Sequence, residues 1–317
     1  MRKKSFKNLD EQIRILKSKG MIITDEEYTK DVLLRENYFF LNGYRHVFYV
    51  SDKERRYIKG TTFEELYSLF LFDRKLRNIL FRYLLVAENN FKSVLSYLFS
   101  RKYGYDQNEY LKPSNFTSNP EEKGHVADVI RKMKRQIIFN GKKHTATEHY
   151  IKNYGYIPLW VLVKVLSFGL TADMFSVLKE EDRKEISTYY RVSPNNLDNY
   201  FVVLSIYRNL CAHEDIVFDY KTQRCINDTI YHDLLKIKKD KDGYVKGKND
   251  ILAVLIVLKQ ILVEEDFLEM MDNLSKIIND LKSKIKIISF QKIIDRMGLP
   301  ENWEKLKDMK VVVANEK

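Results

Sequence analysis

The segment Thr61–Gly104, TTFEELYSLFLFDRKLRNILFRYLLVAENNFKSVLSYLFSRKYG, holds no proline, and its only glycine is the last residue. Thr62 stands three positions before Glu65, the spacing of a capping box, in which each side chain satisfies a backbone N–H left free at a helix start. Leu66, Leu69, Phe70, Leu76, Leu80, Leu84 and Phe91 recur near the helical period. The segment therefore predicts one long helix, Phe63 to about Tyr103.

The rest of the chain reads the same way. With 21 Tyr and 18 Phe against 11 Gly and 5 Pro in 317 residues, long side chains outnumber breakers, which favours helices over a turn-rich β fold. SFKNLDEQIRILKSKG reads as an amphipathic helix ending at Gly20, and Thr24 with Glu27 as a second capping box. The aromatic block YFFLNGYRHVFYV reads as a broken helix. A loop carries Pro113 and Pro120. GHVADVIRKMKRQIIFNGKKH reads as a basic helix, and IPLWVLVKVLSFGLTADMFSVLKE as a helix broken at Gly169. EEDRKEISTYY is a short helix, and Ser193-Pro194 gives an N-cap and an N1 proline for the next one. KIKKDKDGYVKGKND is a basic loop, and residues 251–285 read as a final long helix before a turn at Gly298-Leu299-Pro300. The expected fold is all-α, a helical bundle (61–285) with an N-terminal helical extension (1–60) and a C-terminal capping segment (286–317).

The longest apolar run, Ile251–Leu258, is too short to span a bilayer, and MRKKSFKNLDEQ has a basic run without the apolar core of a signal peptide. Two cysteines, Cys211 and Cys225, do not make a disulfide scaffold and point to a reducing, cytoplasmic setting. A net charge of +11 points to a polyanionic partner, nucleic acid first, and equally to solubility alone.

Tyr207–Tyr220, YRNLCAHEDIVFDY, closes an apolar helix with Arg208, Asn209 and His213. Asn209 and His213 are four apart and share a face; Arg208 and His213 are five apart, about 140° around the helix. One reading is a helix-end cation with a capping amide. The other is chemical. Cleaving RNA requires proton transfer from the 2′-OH and to the leaving 5′ oxygen, which suits imidazole near neutral pH, and a guanidinium fork on the phosphorane. Such a set needs no metal or cofactor, and two chains pooling their motifs would supply two histidines.

The segment resembles the R-x4-H motif of the HEPN superfamily of metal-independent ribonucleases. The whole chain resembles the abortive-infection (Abi-like) family, and most of all its AbiF-type members. FLNGYRHVFY (Phe40–Tyr49) matches that family's aromatic block. Asp73, Arg74, Leu76 and Arg77 match its F-D-R-x-L-R helix. HYIKNYGYIPLWVLVKVLSFG, RNLCAH and GLPENW match three further segments. The resemblance implies an elaborated HEPN-type bundle, Arg208, Asn209 and His213 as the catalytic set, and a homodimer with facing motifs. It also implies RNA as partner, either a substrate or a cognate small structured RNA held in a stable ribonucleoprotein. Two places depart from the pattern: Lys164 stands where relatives often carry an acid, and Glu214-Asp215 follow the histidine. Carboxylates there would raise the imidazole pKa and repel phosphate.

Other candidates carry alternatives. Asp73 and Arg77 read either as a solvated i,i+4 pair or, with Arg74, as part of an RNA cleft. Glu88, in an apolar stretch, reads as a buried partner for Arg208 or as an exposed side chain. His144 and His149 are five apart, where a zinc site on one helix face wants four, so no metal is expected. His149 and Tyr150, with Lys142 and Lys143 of the basic stretch, read as RNA contacts. Cys211 reads as a small apolar residue, with Arg208 and His213 close enough to lower its pKa.

Overall fold

A computed structural model describes residues 5–51, 53–241 and 243–311; the outermost ends of the two flanking segments, including the initial MRKK, lie outside the described residues. The elements in chain order are α1 (Leu9–Ser18), α2 (Glu26–Glu36), α3 (Tyr38–Asn42), a 3₁₀ turn (Arg45–Phe48), α4 (Phe63–Tyr103), α5 (Gln107–Tyr110), α6 (Lys123–Asn140) and α7 (Thr145–Tyr154). They continue with α8 (Leu159–Leu162), α9 (Phe168–Ser176), α10 (Glu180–Tyr189), α11 (Pro194–Ala212), α12 (Ile230–Leu234), α13 (Ile251–Ile261), α14 (Glu264–Lys284) and α15 (Phe290–Arg296). A two-stranded antiparallel hairpin, β1 (Lys239–Asp240) and β2 (Gly243–Tyr244), stands in the basic loop before α13. The fold is all-α.

The 41-residue α4 is the axis of the molecule, and its capping box forms as expected, with Thr62 accepting from the Glu65 N–H at 3.2 Å. Leu69, Leu76, Leu80, Leu84, Phe91 and Leu95 are fully buried along it, against α14, α11, α8 and α10. Glu65 also joins the start of α4 to the segment between α14 and α15: its Oε1 accepts from the N–H groups of Lys286 (2.6 Å) and Ile287 (2.9 Å). The N-terminal helices attach beside it through backbone bonds from Ile22 to Thr61 and from Phe63 to Ile22. Every residue of α13 is buried. Among the described residues no helix is long and apolar enough to cross a membrane.

Local competition shifts three boundaries. The cap of α2 is Asp25, not Thr24: the Asp25 carboxylate accepts from Tyr28 N–H at 2.9 Å, while the Thr24 hydroxyl is taken by Glu64 at 3.1 Å. The break after α8 comes at Ser167, whose hydroxyl caps α9 by accepting from Leu170 N–H, so Gly169 lies inside the first turn of α9. The long C-terminal helix is two helices. Leu262 and Val263 are extended, and Glu264, Glu265 and Asp266 open α14. A helix apolar all round must be enclosed, whereas an amphipathic one must keep a wet face, and the extended pair reorients the chain between them.

One buried carboxylate ties three regions together. Asp73 of α4 is wholly buried and accepts from Arg77 Nη1 (2.6 Å), the Tyr44 hydroxyl (2.7 Å), and the N–H groups of Val217 (3.2 Å) and Phe218 (2.8 Å). Arg77, 4% exposed, also donates to Tyr44 Oη and to the Asp215 carbonyl, each at 3.2 Å. Burial pushes the Asp73 carboxyl up, with Arg77 as the chief opposing pull. The hydrogen bonds from Tyr44 and from the Val217 and Phe218 N–H groups oppose that rise together with Arg77. Asp73→Ala would strand a buried guanidinium, which costs about 3–5 kcal/mol. Lys75→Ala, on the same helix as Asp73, removes an exposed pair with Asp280 of α14 and should cost less than about 1 kcal/mol. Urea midpoints at unchanged m-value check both.

Candidate functional site at the end of α11

Helix α11 runs antiparallel to α4. Phe201 stacks on Phe91 with ring centroids 3.7 Å apart, Arg208 meets Glu88, the Asp215 carbonyl meets Arg77, and Val217 meets Asp73. The helix ends in a Schellman turn: Asp215 N–H bonds to Leu210 O (3.1 Å), Glu214 N–H to Cys211 O (3.4 Å), and Glu214 takes φ +59°. That left-handed position is usually glycine's. Tyr207, fully buried, donates from its hydroxyl to Tyr220 O at 2.8 Å and pins the returning chain on the other side.

His213 is therefore the C-cap, with its N–H on Asn209 O at 3.0 Å. Asn209 and His213 are both exposed, and the His213 ring makes no hydrogen bond or ion pair with a described residue. Arg208 is half-buried. Its Nε donates to Glu88 Oε2 at 3.1 Å, Nη1 to Asn209 Oδ1 at 3.4 Å, and its guanidinium lies 5.9 Å from the Phe81 ring centroid. Glu88 is buried, as one of its two readings anticipated. Its other oxygen accepts from Lys92 Nζ at 2.6 Å, and Lys92 donates again to the Leu166 carbonyl at 2.7 Å. The break at Ser167 frees that carbonyl. Lys92 and Phe81 were missed in the sequence; the i,i+4 Glu88–Lys92 spacing was the available signal.

The other candidates fall elsewhere. Arg74 is held by both oxygens of Glu36, and the Glu214 carboxylate lies within its electrostatic reach. Arg77 is not a surface cation: neither the solvated pair nor a cleft-facing guanidinium describes it, since tertiary packing buries it against Asp73. Lys142, Lys143 and His149 are exposed around the α6–α7 turn, and Tyr150 is half-buried. Lys143 caps the Phe139 ring at 3.9 Å, and His149, Tyr150 and Tyr154 form a ring cluster. Helix α7 packs on α6 and α8, and no hydrogen bond or ion pair among described residues joins this group to the α11 end. No group of three or more His, Cys, Asp or Glu among the described residues is placed to hold a metal ion.

Burial, reinforced by the Asp73 charge, pushes the Cys211 thiol up to about 12. The expected lowering by Arg208 and His213 is replaced by this opposite shift, because the thiol faces the core rather than the site. In native protein at pH 8, Ellman's reagent should titrate only the exposed Cys225, with Cys211 appearing on addition of denaturant.

No curated protein and no solved structure matches the chain. The family profile described as Abi-like protein matches residues 31–219, more than half of the sequence. That span takes in the Asp73 latch, the Glu88–Lys92 anchor and the complete turn at His213, and the chain belongs to the Abi-like protein family.

Proposed function

We propose that this Abi-like chain is a HEPN protein of the AbiF type that binds RNA at the end of α11 and cleaves it as a metal-independent endoribonuclease. Family membership supports a role in abortive infection, a toxin-like defence against phage. The observation that carries the reading is the anchoring of Arg208. Glu88 takes the Nε edge of its guanidinium, and Asn209 only weakly engages Nη1, so the fork stays available for phosphate. The exposed His213 imidazole sits at the same helix end with no described residue holding its ring. In the proposed step the 2′-oxygen attacks phosphorus as its proton leaves, the P–O5′ bond breaks, and a proton reaches O5′. The products are a 2′,3′-cyclic phosphate and a 5′-OH. Arg208 bears the phosphorane charge, His213 moves a proton, Asn209 orients, and a second chain in a homodimer brings the second imidazole.

The exposed carboxylates of Glu214 and Asp215 favour a second reading, in which the same residues grip a cognate small RNA without cutting it. Purified protein incubated with RNA in EDTA separates the two. His213→Ala should lower the cleavage rate by about 10²–10⁴. Glu88→Gln, which loosens the Arg208 anchor, should lower kcat more than it raises KM. Cleavage by His213→Ala at the wild-type rate would end the nuclease proposal; a defined RNA that co-purifies intact would support the second reading.

A further inference from the structure

The N-terminal helices enclose a groove of about 950 Å³ away from the α11 site. Its charged lining consists of Lys7, Lys19, Arg45 and Arg55, with no carboxylate among the lining residues. Lys7 pairs with Glu11, but Lys19, Arg45 and Arg55 form no ion pair with a described residue. Burial first, then the charges of Arg45 and Arg55, lowers the Lys19 pKa, so the three cations lie within reach of one another without a counter-ion among the described residues. Arg45 spends one N–H on the Asn42 carbonyl at 3.0 Å and keeps the rest of its fork.

The remaining wall is aromatic and amide. Phe39 is 77% exposed, Phe6 89%, and Tyr38 stands beside them half-buried. Gln12 and Asn42 both line the groove, and their side-chain oxygens are buried with no hydrogen-bond partner among the described residues. The Gln12 amide is fixed in that orientation, because its Nε2 already donates to the Lys7 carbonyl at 2.9 Å. A buried acceptor without a donor is costly, and a ligand that supplies N–H groups relieves it. Cations without counter-ions call for an anion, exposed rings for a flat π face, and orphan acceptors for N–H donors.

We propose that this groove binds a nucleotide, its phosphate on Lys19, Arg45 and Arg55 and its base against Phe39 and Tyr38 with the base-edge N–H groups on Gln12 and Asn42. The nucleotide is either free or one unit of an RNA strand. A bilayer surface, the other partner for basic and apolar groups together, is flat and would not reach acceptors set inside a groove. The site is separate from His213 and does not depend on cleavage there.

The test uses the full chain carrying His213→Ala, so that no RNA is cut, titrated with AMP and with a short single-stranded oligoribonucleotide. Arg55→Glu and Phe39→Ala alter exposed side chains, so both variants should fold. Each should weaken binding by about tenfold or more, and Lys75→Ala, which lines neither site, should leave AMP binding unchanged. Weakening for AMP identifies a free nucleotide, and weakening for the oligoribonucleotide alone identifies an RNA strand. Unchanged affinity in both variants, no binding of either probe, or capture by phosphatidylglycerol vesicles that AMP does not displace would overturn the proposal. Of these results, RNA binding unchanged in both groove variants leaves the α11 reading standing.

Discussion

The Asp73 carboxylate is the constraint on which the rest of the molecule depends. Removing a carboxylate from water is costly unless charge and hydrogen bonds replace the lost solvation. Here the replacements come from three parts of the sequence: Tyr44 from the aromatic block, Arg77 from the next turn of α4, and the Val217 and Phe218 N–H groups from the segment that returns after α11. None of the three can leave without exposing the charge to an apolar interior. The carboxylate therefore fixes where the chain goes after His213, and through the Arg77 bond to Asp215 it fixes where α11 stops.

Helix α4 carries a second device of the same design. Asp73–Arg77 and Glu88–Lys92 are both buried i,i+4 pairs on one helix. They lie 15 positions apart, roughly 22 Å along the axis. Because α11 runs antiparallel to α4, the first pair receives the turn after His213 and the second receives Arg208. Each pair satisfies a buried acid internally and still has bonding capacity for α11. In the second pair Lys92 is neutralised by Glu88, and Arg208 adds a positive charge to that neutral unit rather than completing a closed ion pair.

Much of this architecture was legible from local signals. The bounds of α4 and the start of α11 followed from Thr62, Glu65, Ser193 and Pro194, because capping and proline chemistry act within one turn. Where two local signals competed, the sequence did not decide. Ser167 prevailed over Gly169 because a capping hydroxyl starts a helix, whereas a glycine inside a first turn is merely tolerated. The split at Leu262-Val263 was hidden because apolar periodicity continues across it, and only enclosure by the other helices requires the chain to turn. The Asp73–Arg77 spacing was visible, but spacing carries no information on burial. Its further partners, Tyr44, the Asp215 carbonyl and the Val217 and Phe218 N–H groups, come together only when the chain is folded. The Glu88–Arg208 contact was within reach of the sequence, since an acid in LLVAENNF needs a cation; Lys92 as its second cation lay one turn further on.

Glu214-Asp215 looked, as sequence, like two charges opposed to phosphate binding. The fold gives them different roles. A Schellman turn needs a residue at positive φ, and a non-glycine residue in the left-handed region costs about 1–2 kcal/mol. Glu214 occupies that position, and its carboxylate falls within reach of Arg74, which Glu36 already holds in place. Asp215 contributes through its backbone, its carbonyl engaged by Arg77 and its N–H closing the turn on Leu210. The acids are thus bound into the structure that ends the helix. What faces outward at that end is the His213 ring, without a partner among the described residues, the Asn209 amide, the exposed Glu214 and Asp215 side chains, and the free edge of a guanidinium whose opposite edge is fixed from below.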